Sequence, residues 1–255
     1  MTRKARQFRF HHAGEITMDS ELQLDKSASH HLLTVLRAGP GDQLELFNGD
    51  GFNYSAVLAS GSTAKRAIIS VESRSQNLSE PPLAITLVQA VSRGERMDQS
   101  IRQAVELGAT AIQPVYSRHA QRPGDAKRIS RKQEHWYKIM ISATEQSGRA
   151  RVPDLHPARS LSSWIEDSDT GLTATPCVVL HPAATNSLDR LDAMQQLSIA
   201  IGPESGFDKD EVDTMIATGA IACRMGPRTL RTETAEPAAI AIPVSYTHLT
   251  LPTKA

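Results

Sequence analysis

The 255-residue chain has only two cysteines, Cys177 and Cys223. Each lies inside an apolar run with no CxxC or HxxxH spacing nearby. A disulfide framework is excluded, zinc is disfavoured, and two buried strand thiols with no metal are expected. The pairs His11-His12 and His30-His31 do not make up for this, because neighbouring residues of an extended chain point to opposite faces. No apolar run approaches the roughly 18 residues that a membrane helix needs. The basic start MTRKARQFRFHH is not followed by the apolar core of a signal peptide, so no membrane partner and cytoplasmic residence are expected. Lys and Arg total 28 against 28 Asp and Glu, which excludes a generally polycationic protein. Nucleotide signatures are missing as well. LAITLVQAV runs into SRGER instead of GxGxxG, and neither GxxxxGK[ST] nor GxSxG occurs.

Composition is otherwise that of an ordinary globular protein, 40% hydrophobic and 22% charged, with room for one large or two smaller domains. Charge is unevenly placed. Arg3, Lys4, Arg6 and Arg9 crowd the first ten residues without an acid, and Arg118 to Lys138 holds seven basic residues against Asp125 and Glu134. Two such segments could neutralise phosphates of a folded nucleic acid; a solvated helix face or a disordered start is the competing reading.

Residues 20 to 75 read as short strands and Gly-rich turns, the pattern of a small barrel. The polar stretch SRSQNLSEPP (73–82) suits a linker. Beyond it, LAITLVQAV reads as a strand buried on both faces. Met97, Ile101, Ala104 and Val105 mark a helix stopped by Gly108, and AIQPVY a further strand. Trp136, Ile139, Met140 and Ala143 mark an amphipathic helix. CVVLH, LSIAI and AIACRM are short apolar strands, and DKDEVDTMIATG is a helix with acids at its start and glycine at its end. Alternating strands and helices predict an α/β domain with a largely parallel sheet.

Ligand sites of parallel sheets gather at the carboxyl ends of strands. Three strand exits carry unusual residues: Leu180-His181-Pro182, Gly202-Pro203-Glu204-Ser205-Gly206-Phe207 and Met225-Gly226-Pro227-Arg228. Glycine admits close backbone approach and proline fixes a turn, which suits an adenine edge and a ribose. Any one of them could be a plain turn. Three in succession before RTLRTETA point to a pocket, and the absent phosphate loops narrow its ligand.

The segments HHLLTVLRAGPGDQLELFNGDG, QAVSRGERMDQSIRQAVELGATAIQPVYS, EQSGR, IGPESGF and MGPRTLRTETA resemble the RsmE family of 16S rRNA uridine-N3 methyltransferases, in the SPOUT superfamily. They run in order over roughly residues 10 to 242. The resemblance implies a PUA-like β-barrel (1–75) that binds RNA, then an α/β domain with a trefoil knot (83–242). It also implies S-adenosylmethionine as cofactor, a homodimer, and small-subunit ribosomal RNA or the assembled 30S subunit as partner. By position, Leu180, His181 and Pro182 would form one wall of the cofactor pocket. Ala200, Ile201, Gly202, Pro203, Glu204 and Gly206 would form the second loop, and Met225, Gly226, Leu230, Arg231 and Thr232 the third. The family usually has glycine where Ser205 stands, and serine would be strained there if that site needs φ > 0.

For methyl transfer to N3 of uracil, the N3 proton must leave or its anion be stabilised, and a fixed cation near O2 or O4 would help. Arg149 in EQSGR is the first candidate for contact with the target and Arg231 the second; Glu204 and Glu233 are candidate proton acceptors or orienters. Glu145 and Gln146 could bond RNA or brace the dimer. Candidate RNA contacts are Arg3, Arg6, Arg9, Arg37, Arg93, Arg118 and Arg122. The alternatives are a SPOUT enzyme acting on a ribose 2′-hydroxyl or a tRNA base, and a non-catalytic RNA-binding assembly factor. The end, PVSYTHLTLPTKA (243–255), reads as translated cloning or sequencing adapter. Pro243 is expected to disrupt the last helix there, weakening cofactor binding or dimerisation.

Overall fold

The computed structural model describes residues 8–250 except 64, 122 and 191–193. The chain divides into two compact units, Met1–Glu80 with Thr144–Val152, and Pro81–Ala143 with Pro153–Ala255.

In the first unit, β1 (Phe8–His11) and β2 (Glu21–Gln23) precede α1 (Lys26–His30), which a π-helical turn, His31–Val35, prolongs. Then come β3 (Gln43–Phe47), β4 (Phe52–Leu58) and β5 (Ile68–Gln76). They form a five-stranded sheet in the order β1-β3-β4-β5-β2, with β1 parallel to β3 and the other pairs antiparallel. Alternation along the strands turns Leu44, Leu46, Tyr54, Ala56, Leu58, Ile69 and Val71 into one core with Phe8, Phe10, Leu24 and Leu32. Two expectations change. The stretch 26–35 is helical because Asp25 accepts from the Ser27 and Ala28 N–H groups and so caps the turn. The expected linker opens as strand, because Arg74 and Ser75 still pair with Tyr54 and Asn53 of β4.

The second unit is built on β6 (Ala84–Ala90), α2 (Glu95–Glu106), β7 (Ala111–Tyr116), α3 (Ala126–Ser147, its last turn from Thr144 counted with the first unit), β8 (Asp154–Leu155), β9 (Arg159–Ser160) and α4 (Leu161–Glu166). It continues with β10 (Cys177–Leu180), β11 (Asn186–Ser187), β12 (Gln196–Ile201), α5 (Lys209–Ala217), β13 (Ile221–Arg224) and α6 (Thr232–Thr250). The sheet is parallel, in the order β11-β13-β10-β12-β6-β7-β8, with β9 also on β7. Its centre is apolar on both faces. Ile85, Leu87, Val88 and Ala90 are fully buried, and Val88, Ala90, Val179 and Ala200 join Trp164, Val212 and Met215 in one core. α5 begins with a capping box between Asp208 and Glu211 and ends before Gly219 at φ 115°.

The last helix departs from expectation. α6 passes through Pro237 and Pro243 without ending. Helix-interior proline removes a hydrogen bond and costs about 3 kcal/mol, but α6 packs on α2 and β12, with Ala239 and Ile240 fully buried. Tertiary burial outweighs the local penalty. No described helix is long and apolar enough to cross a membrane.

Candidate functional site

The strands β13, β10 and β12 are neighbours and parallel, so their carboxyl ends open on one edge of the sheet. The three loops that leave them enclose a cavity of about 290 Å³, near the lower end of ligand-site volumes. Leu180, His181 and Pro182 line it from β10. Ile201 to Phe207 line it from β12, Cys223, Arg224, Met225 and Arg228 to Leu230 from β13, and Thr232 and Ala235 from the start of α6.

Backbone contacts fix the loops. The His181 N–H donates to the Cys223 carbonyl at 2.9 Å, and the Gly206 N–H donates to the Pro203 carbonyl at 2.8 Å. The Thr232 hydroxyl donates to the same Pro203 carbonyl at 3.3 Å, tying α6 to the second loop. Gly202 has no room for a side chain, since a Cβ there would stand 2.6 Å from the Phe207 nitrogen. Gly206 and Gly226 hold φ of 76° and 74°, which glycine adopts without strain. Ser205 is absent from the described non-glycine residues at positive φ, so the condition for strain there is not met.

Glu204 holds a second loop in place. Its carboxylate pairs with Arg96 at 2.8 Å. Burial works against its charge, but its own N–H, the Arg96 guanidinium and the Arg93 backbone outweigh burial and keep its pKa below the ordinary value. An ionised, paired carboxylate is a poor proton acceptor and a good clamp. It fastens the turn after β6, where Gly94 takes φ 55°, to the loop after β12.

Of the expected cofactor residues, Leu180, His181, Pro182, Ile201, Gly202, Pro203, Glu204, Gly206, Met225, Leu230 and Thr232 line the cavity, while Ala200, Gly226 and Arg231 do not. Ser205 and Phe207 also line it, as do Val212, Cys223, Arg224, Arg228, Thr229 and Ala235. The strand exits and RTLRTETA already contain Ser205, Phe207, Arg228, Thr229 and Ala235, whereas Val212, Cys223 and Arg224 were hidden because which neighbour turns into the cavity is set by strand register and helix packing. Arg231 is exposed and Glu233 half-buried, both at the start of α6.

Several expected contacts have other duties. Arg149 lies in the first unit, its side chain 4% exposed and paired with Glu80 at 2.7 Å. Its guanidinium is thereby engaged within the first unit. Arg9 is spent likewise. It donates to Glu45 at 2.6 Å, to the Asn53 side chain and to the Thr144 carbonyl, and stacks over Phe47. Arg118 pairs with Asp208 at 2.7 Å and with Asp210, at the start of α5. Glu145 accepts the His11 N–H, and burial raises its pKa. Arg37, at φ 57°, and Arg93 are exposed. Arg3, Arg6 and Arg122 lie outside the described residues. Among the described residues no cluster of His, Cys, Asp and Glu could hold a metal.

Known proteins match this architecture. A family model described as an RNA methyltransferase domain matches residues 79–243, and one described as an RNA methyltransferase PUA domain matches residues 24–72. Ribosomal RNA small subunit methyltransferase E of Buchnera aphidicola subsp. Schizaphis graminum is 32% identical over 226 residues, covering 88% of this chain and 90% of that protein. Among solved structures, a Legionella pneumophila methyltransferase in complex with the cofactor SAM superposes with a TM-score of 0.88 at 31% identity, over 94% of this chain and 98% of that one. Ribosomal RNA small subunit methyltransferase E from Neisseria gonorrhoeae, bound to S-adenosyl methionine, gives 0.84 at 32% identity, over 92% and 96%.

Proposed function

Since the chain belongs to the family of ribosomal RNA small subunit methyltransferase E, we propose that it methylates N3 of a uridine in 16S ribosomal RNA, using S-adenosylmethionine. The observation that carries this is the single cavity made by three adjacent strand-exit loops. The residues present fit the cofactor. Leu180, Ile201, Met225 and Leu230 offer apolar walls for an adenine, and Gly202, which admits no Cβ, lets backbone come close. When bound, S-adenosylmethionine supplies an electrophilic sulfonium methyl group.

The protein's share of the chemistry is positioning and electrostatics. The Glu204–Arg96 pair holds the second loop and the turn after β6 in one geometry. Glu204 is thus assigned to loop order and not to proton removal. Arg149, committed to Glu80, is assigned to the frame of the first unit. Arg231, exposed beside the cavity at the start of α6, is the candidate cation for the developing charge on uracil. Glu233 remains the candidate orienter. The five-stranded unit would grip RNA and so set orientation rather than base identity. The family's knot would be formed by the three cavity loops, and a homodimer would draw on α6.

Incubation with S-adenosylmethionine and small-subunit RNA, or subunits lacking the modification, followed by nucleoside mass spectrometry, tests the activity. N3-methyluridine is expected; another methylated nucleoside, or none with either substrate, overturns it. Light scattering at about twice 27.7 kDa is expected for the homodimer, as C2 dimers are the commonest closed assemblies.

A further inference from the structure

Two of the cations that line the cavity, Arg224 and Arg228, have no part in the chemistry above. Arg224 ends β13, and Arg228 follows two residues after Gly226, whose φ of 74° turns the loop between them. Both residues are exposed. Among the described residues neither guanidinium has a carboxylate within 4.0 Å or a hydrogen bond, unlike Arg9, Arg118, Arg149 and Arg159, each of which is paired. The cavity lining contains one acid, Glu204, and Arg96 already neutralises it. Among the described lining residues the cavity therefore carries positive charge with no unpaired acid beside it, in a chain whose overall charge is zero.

A guanidinium offers a planar fork of donors that matches phosphate and carboxylate oxygens, and it stays charged at any working pH. Two of them on one turn, open to solvent and beside the place where a methyl group would be delivered, suit an anion that arrives from outside. A polynucleotide strand has such anions on either side of the nucleotide entering a site. We propose that Arg224 and Arg228 bind the RNA phosphates flanking the target nucleotide. This rests on the cavity being the methyl-transfer site. The two cations orient the strand at the cavity mouth and leave base choice to other groups. The cofactor's own carboxylate is the other anion of suitable chemistry, and binding measurements separate the two.

The test uses the whole chain with Arg224→Gln, Arg228→Gln, both together, and the matching Lys variants. S-adenosylmethionine binding is followed by calorimetry, and small-subunit RNA binding by filter retention across a salt series. Expected are unchanged S-adenosylmethionine affinity, which also reports an intact fold, and weaker RNA binding. The log–log salt slope should become shallower by about 0.7 for each cation removed from a single strand. The Lys variants should restore the slope. A variant that loses S-adenosylmethionine affinity while keeping the slope assigns these arginines to the cofactor and overturns the proposal, as does a double variant with both properties unchanged. Failure of the methyl-transfer reading itself would show in the unsubstituted chain, through absent S-adenosylmethionine binding.

Discussion

Arginine and glutamate differ here by their partners more than by their positions in the sequence. Arg9 lies in a basic stretch, yet its side chain is 11% exposed against Glu45 at 17%. Removing it strands a largely buried carboxylate, so Arg9→Ala should lower stability by about 2–4 kcal/mol in chemical denaturation while leaving the salt slope of RNA binding unchanged. A shallower slope would return Arg9 to the RNA surface. Glu236 is the opposite case. It is wholly buried on α6, and neither carboxyl oxygen has a hydrogen-bond partner among the described residues. Burial pushes its pKa up to about 8, and the Ser100 hydroxyl of α2 opposes this only weakly, outside hydrogen-bond geometry. The folded state therefore holds a proton that the unfolded chain, with the ordinary value of 4.5, releases. Stability should fall as pH rises through the window from 4.5 to about 8, by at most about 1.4 kcal/mol per pH unit, and level off above it. Glu236→Gln should flatten that slope in melts across the range; an unchanged slope would assign the proton elsewhere.

Loops and helices were legible where their cause is local. The acids and glycine around α5 announced its ends, and the apolar run of β6 announced a strand buried on both faces, because capping and patterning act over a few residues. The three strand exits were legible for the same reason. Hidden were the residues whose role depends on a distant neighbour. Cys223 and Arg224 reach the cavity because β13 pairs with β10 at Leu180↔Cys223, and Arg118 is paired with Asp208 because α5 begins beside it. Pro243 misled because packing of α6 on α2 overrides helix propensity. The second loop yields a prediction of its own. A methyl at position 202 would meet backbone, at 2.6 Å from the Phe207 nitrogen and 2.8 Å from the Gly206 carbonyl carbon, and backbone cannot step aside as a flexible side chain can. Gly202→Ala should cost about 1–3 kcal/mol of stability and at least about tenfold in S-adenosylmethionine affinity. Calorimetry showing wild-type affinity would mean the loop tolerates the shift.

Over the whole chain, the five-stranded unit and the parallel α/β unit have separate cores, and the cavity belongs to the second. A ligand that binds only the folded state stabilises by mass action, by about 2.7 kcal/mol at a hundred times its Kd. Saturating S-adenosylmethionine should therefore raise the melting transition of the α/β unit, and dialysis should reverse the gain; a melt blind to the cofactor would count against the cavity as its site. The order of the strands has a consequence for the making of the protein. The walls of the cavity come from Leu180 to Ala235, and β13, the last of the described strands to be synthesised, docks on the outer side of β10. A nascent chain leaves the ribosome from its N-terminus, so the five-stranded unit and most of the sheet emerge before any cavity can exist. Ribosome-bound chains halted before residue 221 should lack cofactor binding altogether, which makes the acquisition of the methyl donor a late event in this protein's own biogenesis.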